Sequence, residues 1–388
     1  CLVGSEMCIR DRYIYPNLSV EFIGGAGDSN GVQASFQGIN FYGGNASLIL
    51  QNGIYNFYQS IVINGKSCYI GSHGNPADQT ILQIPSDATL GSFTNSSLIS
   101  IQGQSNIFAE SAYLDSFTIT SSLTSSPIGI YGKFVKLLRG RNLVLKQIPT
   151  SGLYLDTCWD SSFDSCRFIN CGSSIMTTGT TDPTNIKSSC KITSASATTA
   201  GSNNINITNT TFESVGDCAL YIDSNNVNYK TNKLYFNKIK IEDSIRNNYP
   251  LIYTTDLNVA TFSDIDLTVG NLNSNVTQVA STQQWELINC LGIVVANVNL
   301  EPTNNTYAGT TVAAVGTSAT IPLASLGLAA AGNWVGWKIA FPASSVVKTI
   351  SSISSSNIVV NSTFASQINT GAGFVIYSDS IDSFIRLL

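Results

Sequence analysis

The chain has 388 residues, of which 11% are charged and 43% hydrophobic, with a formal net charge of −5 and a pI near 4.9. So few charged helix formers exclude a helical bundle or coiled coil, and apolar residues spread over the whole length exclude a disordered chain. The negative charge would repel nucleic acid rather than steer it in. No run reaches the roughly 18 apolar residues that a membrane-spanning helix needs.

Taken in chain order, the first feature is Leu2-Val-Gly-Ser-Glu-Met-Cys-Ile-Arg-Asp11, which reads like the in-frame translation of a sequencing adapter. Residues 1–12 are therefore set aside from the fold. From about residue 40 the text breaks into short β runs separated by Gly, Asn, Ser or Asp: Ser47–Gln51, Ser60–Asn64, Leu98–Gln102, Leu143–Leu145, Ile205–Thr208 and Ile239–Glu242 are examples. Each alternates apolar and polar residues, and no apolar stripe of helical period exceeds ten residues. Leu234-Tyr-Phe236 followed by Ile239-Lys-Ile241 changes parity, as a chain does on turning a corner. Strand, corner and strand, repeating about every 20 to 30 residues, point to a β-solenoid. A β-sandwich over 13–302 is the alternative. It would require Asn-Gly or Asp-Gly hairpins, and Asn52-Gly53 and Asn64-Gly65 are nearly the whole supply.

Several of these runs carry a family likeness. Leu48-Ile-Leu-Gln-Asn-Gly-Ile-Tyr55, the strand Ile61 to Gly71, and the coils Gly152 to Ile175 and Ile205 to Ile222 resemble the pectate-lyase-like right-handed β-helix superfamily, as found in phage tailspikes. The resemblance runs over about residues 20–302. It implies an all-β, single-stranded parallel β-helix over 13–302, opened by a short capping helix at about Asn30 to Phe41. It also implies a polysaccharide partner, a homotrimer, contacts with other virion tail proteins, and an extracellular or virion location. After Glu301 the composition shifts, and five or six strands at hairpin spacing suggest a small all-β module over 303–388, similar to modules that accompany β-helices in phage tail proteins.

Cys68, Cys158, Cys166, Cys171, Cys190, Cys218 and Cys290 include no CxxC pair, and His73 is the one histidine, so zinc and haem spacings are absent. Buried thiols are expected, with one bridge among Cys158, Cys166, Cys171 and Cys218 as the alternative. No phosphate loop or metalloprotease motif is present, and no cofactor or metal is expected.

Carboxylates are scarce enough to be informative. Leu153-Tyr-Leu-Asp156 and Leu220-Tyr-Ile-Asp223 match each other, so inward Leu and Ile would send Tyr154, Asp156, Tyr221 and Asp223 outward. With Ile175–Thr178 as the run between them, the aspartates would lie two coils apart, roughly 9–10 Å. That is near the upper limit of about 6.5–9.5 Å for an inverting glycosidase. Trp159 and Asp160 follow directly and would add to substrate binding. Gly216-Asp-Cys-Ala-Leu-Tyr-Ile222 resembles the Gly-Asp-Asp run of polygalacturonase-type hydrolases, which makes Asp217 a third catalytic candidate, although Cys218 stands where the second aspartate belongs. Lys133, Lys136, Arg139, Arg141 and Lys146 form a basic cluster, read as a solvated face or as the cations of a lyase. The leading expectation is a tailspike-like polysaccharide binder, with cleavage by hydrolysis or elimination left open. A secreted pectate-lyase-like enzyme and a non-catalytic adhesin or structural fibre are the alternatives.

Overall fold

The computed structural model describes residues 7–9, 12–14, 19–22, 33–41, 45–64, 66–72, 77–104, 107–123, 127–172, 187–198, 200–215, 218–226, 228–242, 251–268, 285–301, 306–328, 334–377 and 385–387. Asp217, His73 and the run 175–178 lie outside them. The chain winds into a right-handed parallel β-helix with two walls. Among the described residues, sheet A has 18 strands and sheet B has 11, and every pairing within each is parallel. Each pairing joins strands one coil apart: Ser151–Asp156 lies beside Ile128–Lys133 on one side and Ser188–Thr193 on the other. A sandwich of antiparallel hairpins is excluded by this register.

Asparagine, serine and aspartate are abundant because the corners require them. Ser116, Asn142, Ser165, Asn209, Lys238, Asp264 and Asn297 all have positive φ, each at the bend within a coil's passage along sheet A. Short polar side chains tolerate this left-handed conformation best. One such residue breaks the in-out alternation: Leu234 and Phe236 point inward, Lys238 takes φ +54°, and Ile239 and Ile241 point inward again. Stacked corners then share amide hydrogen bonds with carboxylates, as from Asn209 to Asp164 at 2.7 Å and Asn237 to Asp264 at 2.9 Å.

The interior is a continuous apolar filling. Translation by one coil lays like rings on one another: Phe36 on Phe57 (5.0 Å), Phe168 on Phe212 (4.8 Å) and Phe236 on Phe262 (4.8 Å). Gly140 is registered with Phe163, and a Cβ at Gly140 would come within 2.5 Å of that ring. All seven cysteines after Cys8 are free; six are buried and Cys290 is half-buried. Burial pushes the thiols of Cys68, Cys158, Cys166 and Cys171 up to about 12. No bridge links Cys158, Cys166, Cys171 and Cys218.

The expected capping helix is not formed. Gln33–Phe36 and Ile39–Phe41 are strands, with Ala34, Phe36, Ile39 and Phe41 buried. Period two within each strand, Ala34 with Phe36 and Ile39 with Phe41, suits two walls of the solenoid joined by a turn, and a helix would scatter these side chains around its axis. Among the described residues there is no α-helix. Met7–Ile9, within the segment set aside as adapter-like, pairs in parallel with Ala34–Phe36.

Residues 306–377 contain a six-stranded antiparallel sheet with its own core of Val315, Ile321, Trp334, Ile339, Phe341 and Ile350 among others. Beyond it, Ile385–Leu387 pairs in parallel with Trp285–Leu287. The chain thus returns to sheet B after the antiparallel module.

Candidate functional site

The matched runs meet on the outer side of sheet B. Register aligns Tyr131, Tyr154, Lys191, Tyr221 and Tyr253 in one column across five coils. A second column, two residues further along each strand, holds Lys133, Asp156, Thr193, Asp223 and Thr255. Between them Leu155, Ile192 and Ile222 point into the core. The alternation of the strand puts the apolar residues inside and projects both columns outward.

Lys191 is the centre of the arrangement. Its Nζ lies 5.1 Å from the Tyr154 ring centroid and 5.0 Å from that of Tyr221, within cation–π range of both. Burial lowers the lysine's proton affinity, and Asp223 and then Asp156 oppose that effect. The Tyr221 hydroxyl donates to Asp223 Oδ2 at 2.8 Å, and the Asn225 amide donates to Oδ1 at 2.7 Å. Burial, then the Asp223 charge and this hydrogen bond, raise the Tyr221 phenol. Tyr154 is raised by burial as well, and its hydroxyl accepts from Thr193 at 3.4 Å. Asp156 Oδ1 accepts from the Thr157 hydroxyl and the Ser196 amide, each at 3.1 Å. Such a set can donate from the half-buried Lys191 ammonium and the Tyr154 phenol and accept on Asp223, while the Tyr221 ring and Asp156 stay buried.

Asp156, Asp223, Tyr154 and Tyr221 therefore share one wall, with the aspartates two coils apart. The intervening strand is Ser188–Thr193, so Lys191 and Thr193 occupy the gap. The wall is more closed than an outward alternation implies. Tyr221 is 2% exposed, packed against Tyr253 and Cys218, and Asp156 is 3% exposed beneath the turn at Ser196. Trp159 and Asp160 are not part of this wall. Thr157, at φ +56°, turns the chain onto sheet A, where Trp159 and Asp160 begin the next strand. There the indole N–H of Trp159 donates to Gly201 O (2.9 Å), its ring lies 4.4 Å from Phe108, and Asp160 accepts from Asn204 (2.8 Å). The basic cluster also divides: Lys133 joins the sheet B wall, whereas Lys136, Arg139, Arg141 and Lys146 lie on sheet A.

Lys191 is the residue that the sequence reading misses. Its signal was present: Cys190-Lys-Ile-Thr193 has the same in-out pattern as Leu-Tyr-Leu-Asp and Leu-Tyr-Ile-Asp, with lysine in the tyrosine position. Among the described residues, no group of three or more His, Cys, Asp or Glu side chains is placed to hold a metal ion.

No family model matches the chain, and no curated protein does. Among solved structures it is similar to ORF18 of Geobacillus virus E2, at 11% identity and TM-score 0.41, covering 87% of this chain and 71% of that one. It is also similar to the A-module of the mannuronan C-5 epimerase AlgE4 of Azotobacter vinelandii, at 10% identity and TM-score 0.23, covering 76% and 90% respectively. These likenesses concern the fold and assign no family.

Proposed function

We propose that the chain is a polysaccharide-binding protein of virion tailspike type, with its sugar site on the sheet B wall around Lys191. The observation that carries this reading is a half-buried lysine held between two tyrosine rings and flanked by two aspartates. A lysine held between two rings beside two carboxylates, with its proton affinity lowered by burial, makes this wall the candidate binding site. The columns extend along the solenoid, a shape suited to a polymer lying across successive coils. The sequence resemblance supplies the virion context and the expectation of a homotrimer.

The test is binding of purified bacterial surface polysaccharides to the full chain, beside Lys191→Met and Asp223→Asn. Loss of one charge-assisted contact should weaken binding about tenfold. Retention of no polysaccharide, or variants that bind like the parent, would remove the reading. Sedimentation equilibrium at three chain masses would support the trimer.

Cleavage is a second reading, favoured by the spacing of Asp156 and Asp223. Two coils separate them by about 9–10 Å at the backbone, close to the range of inverting glycosidases. It predicts new reducing ends from the bound polysaccharide and their disappearance in Asp223→Asn, with binding kept.

A further inference from the structure

The end of the solenoid nearest the module carries a surface that the sheet B reading does not use. There Val259, Leu291 and Val294 are 42%, 63% and 55% exposed. They adjoin one another. Ile293 pairs beside Ala260, the Leu291 amide donates to Leu257 O at 2.8 Å, and Val259 Cγ2 lies 3.5 Å from where a Cβ would stand at Gly292. The inward side chains Ile293, Val295 and Val298 are half-buried, whereas their register partners Ala260, Phe262 and Ile265 are fully buried. Grouped apolar exposure of this kind marks an interaction surface, which scattered single residues do not.

The charge pattern identifies what fits this surface. Residues 251–305 hold Asp256, Asp264, Asp266, Glu286 and Glu301 and no lysine or arginine, whereas residues 306–377 hold Lys338 and Lys348 and no carboxylate. Asp256 is paired with Lys230 at 3.4 Å, but Asp264 accepts from Asn237 (2.9 Å) and Asn297 (3.0 Å), both neutral. On the module Ile339 and Phe341 are buried, so alternation puts Lys338 and Ala340 on its outer face, beside Thr349 and Val347 of the paired strand. Val347 is 53% exposed, and Lys338 Nζ donates to the Thr349 hydroxyl at 3.0 Å. An acidic, apolar surface and a basic, apolar one therefore lie on the same chain. Within that chain they do not cover each other, because Val259, Leu291, Val294 and Val347 all remain exposed.

We propose that the outer face of the module in one copy docks on the solenoid end of a second copy. The contact is heterologous, since the two copies use different surfaces, and each pair keeps one solenoid end and one module face unused. Repetition then closes a ring or extends a row of copies. Val347 against Val259, Leu291 and Val294 supplies the apolar contact, and the module lysines facing the carboxylates of the solenoid end fix its orientation. This contact is independent of the sugar site on sheet B.

The experiment is sedimentation equilibrium of the full chain from about 1 to about 100 µM, the range of weak specific contacts. The parent should exceed the monomer mass at the upper end and dissociate on dilution. Leu291→Lys and Val347→Asp each place a charge in the apolar contact, facing its own sign, so each variant alone should associate about tenfold or more weakly. Mixed together, the two variants should recover association, because the intact module of Leu291→Lys meets the intact solenoid end of Val347→Asp. Lys191→Met should associate like the parent. Leu291 and Val347 are exposed, so at about 1 µM, where the copies are apart, both variants should unfold at the parent's midpoint. Carbodiimide cross-linking of isotopically labelled and unlabelled parent chains needs no substitution. It should join Lys338 or Lys348 to a carboxylate of residues 251–305 in peptides of mixed label. A monomeric parent at about 100 µM, either variant alone associating within about twofold of the parent, a mixture that stays monomeric, or cross-links confined to one label would each overturn the proposal.

Discussion

The solenoid and the antiparallel module use similar side chains in two different ways. In the solenoid, neighbours are related by translation through one coil, so stacked phenylalanines of the core lie nearly parallel: Phe168 and Phe212 differ by 14° and Phe236 and Phe262 by 6°. In the module, Lys338–Phe341, Val346–Ile353 and Asn357–Val360 pair antiparallel through short connections, and Phe341 meets Phe364 at 79° and Phe374 at 48°. Parallel stacking repeats one environment along the column, so a residue type that suits one coil suits the next. The module has no such repeat and resolves each contact separately. Its core is distinct from that of the solenoid.

Two cores of this kind should unfold as two transitions. Phe212→Ala should destabilise the solenoid by about 3–5 kcal/mol, and Phe341→Ala should do the same to the module, each leaving the other transition in place. Urea unfolding followed by circular dichroism and tryptophan fluorescence reads this, with Trp334 buried in the module as its reporter. A single transition displaced equally by both substitutions would merge the two regions into one cooperative unit. The next largest contrast is at glycine. Gly140→Ala forces a methyl against the Phe163 ring and should cost about 1–3 kcal/mol. At Gly373 nothing lies within 4 Å of the new Cβ, so Gly373→Ala should remain within about 0.5 kcal/mol of the parent.

Much of the solenoid was legible because its signals are local. The parity change between Phe236 and Ile239 marks a real bend at Lys238, and the matched runs ending at Asp156 and Asp223 do share a wall two coils apart. What failed depended on a single backbone angle or on distant pairing. Trp159 sits three residues after Asp156, yet the positive φ of Thr157 sends it to the other sheet. The capping helix came from family likeness and yielded to two short alternating strands, with Ala34 and Phe36 buried in one and Ile39 and Phe41 in the other. The burial of Asp156 depends on Ser196, forty residues away in sequence. Ile385–Leu387 rejoins sheet B across the whole module, a pairing that no local pattern announces.

Thiol chemistry sharpens the contrast further, because the module contains no cysteine. Burial raises the solenoid thiols, so almost none is a thiolate at neutral pH. Of the seven cysteines after Cys8, iodoacetamide should label Cys290 first, as the half-buried one, and the other six only as the coils open. Mass spectrometry of samples labelled at rising urea should therefore follow the solenoid transition alone. Rapid labelling of Cys158 or Cys171 in native buffer would contradict their burial.

The smallest expected effect concerns acid. The segment 306–377 contains no aspartate or glutamate, whereas the solenoid carries Asp164 with its proton affinity lowered, first by the Thr208 hydroxyl. A carboxyl whose folded pKa lies below its unfolded value, about 3.9 for Asp, contributes stability above that value and loses it as pH falls through the folded pKa. Lowering the pH through and below 4 should therefore depress the solenoid transition while the module transition stays level. Asp164 is partly solvated, so its own share is modest. Thr208→Val removes the principal hydrogen bond and should flatten part of the acid dependence of the solenoid, with no change in the module. A module midpoint that falls in parallel with the solenoid midpoint would mean that the acid effect arises from coupling between the two cores rather than from carboxylates within one.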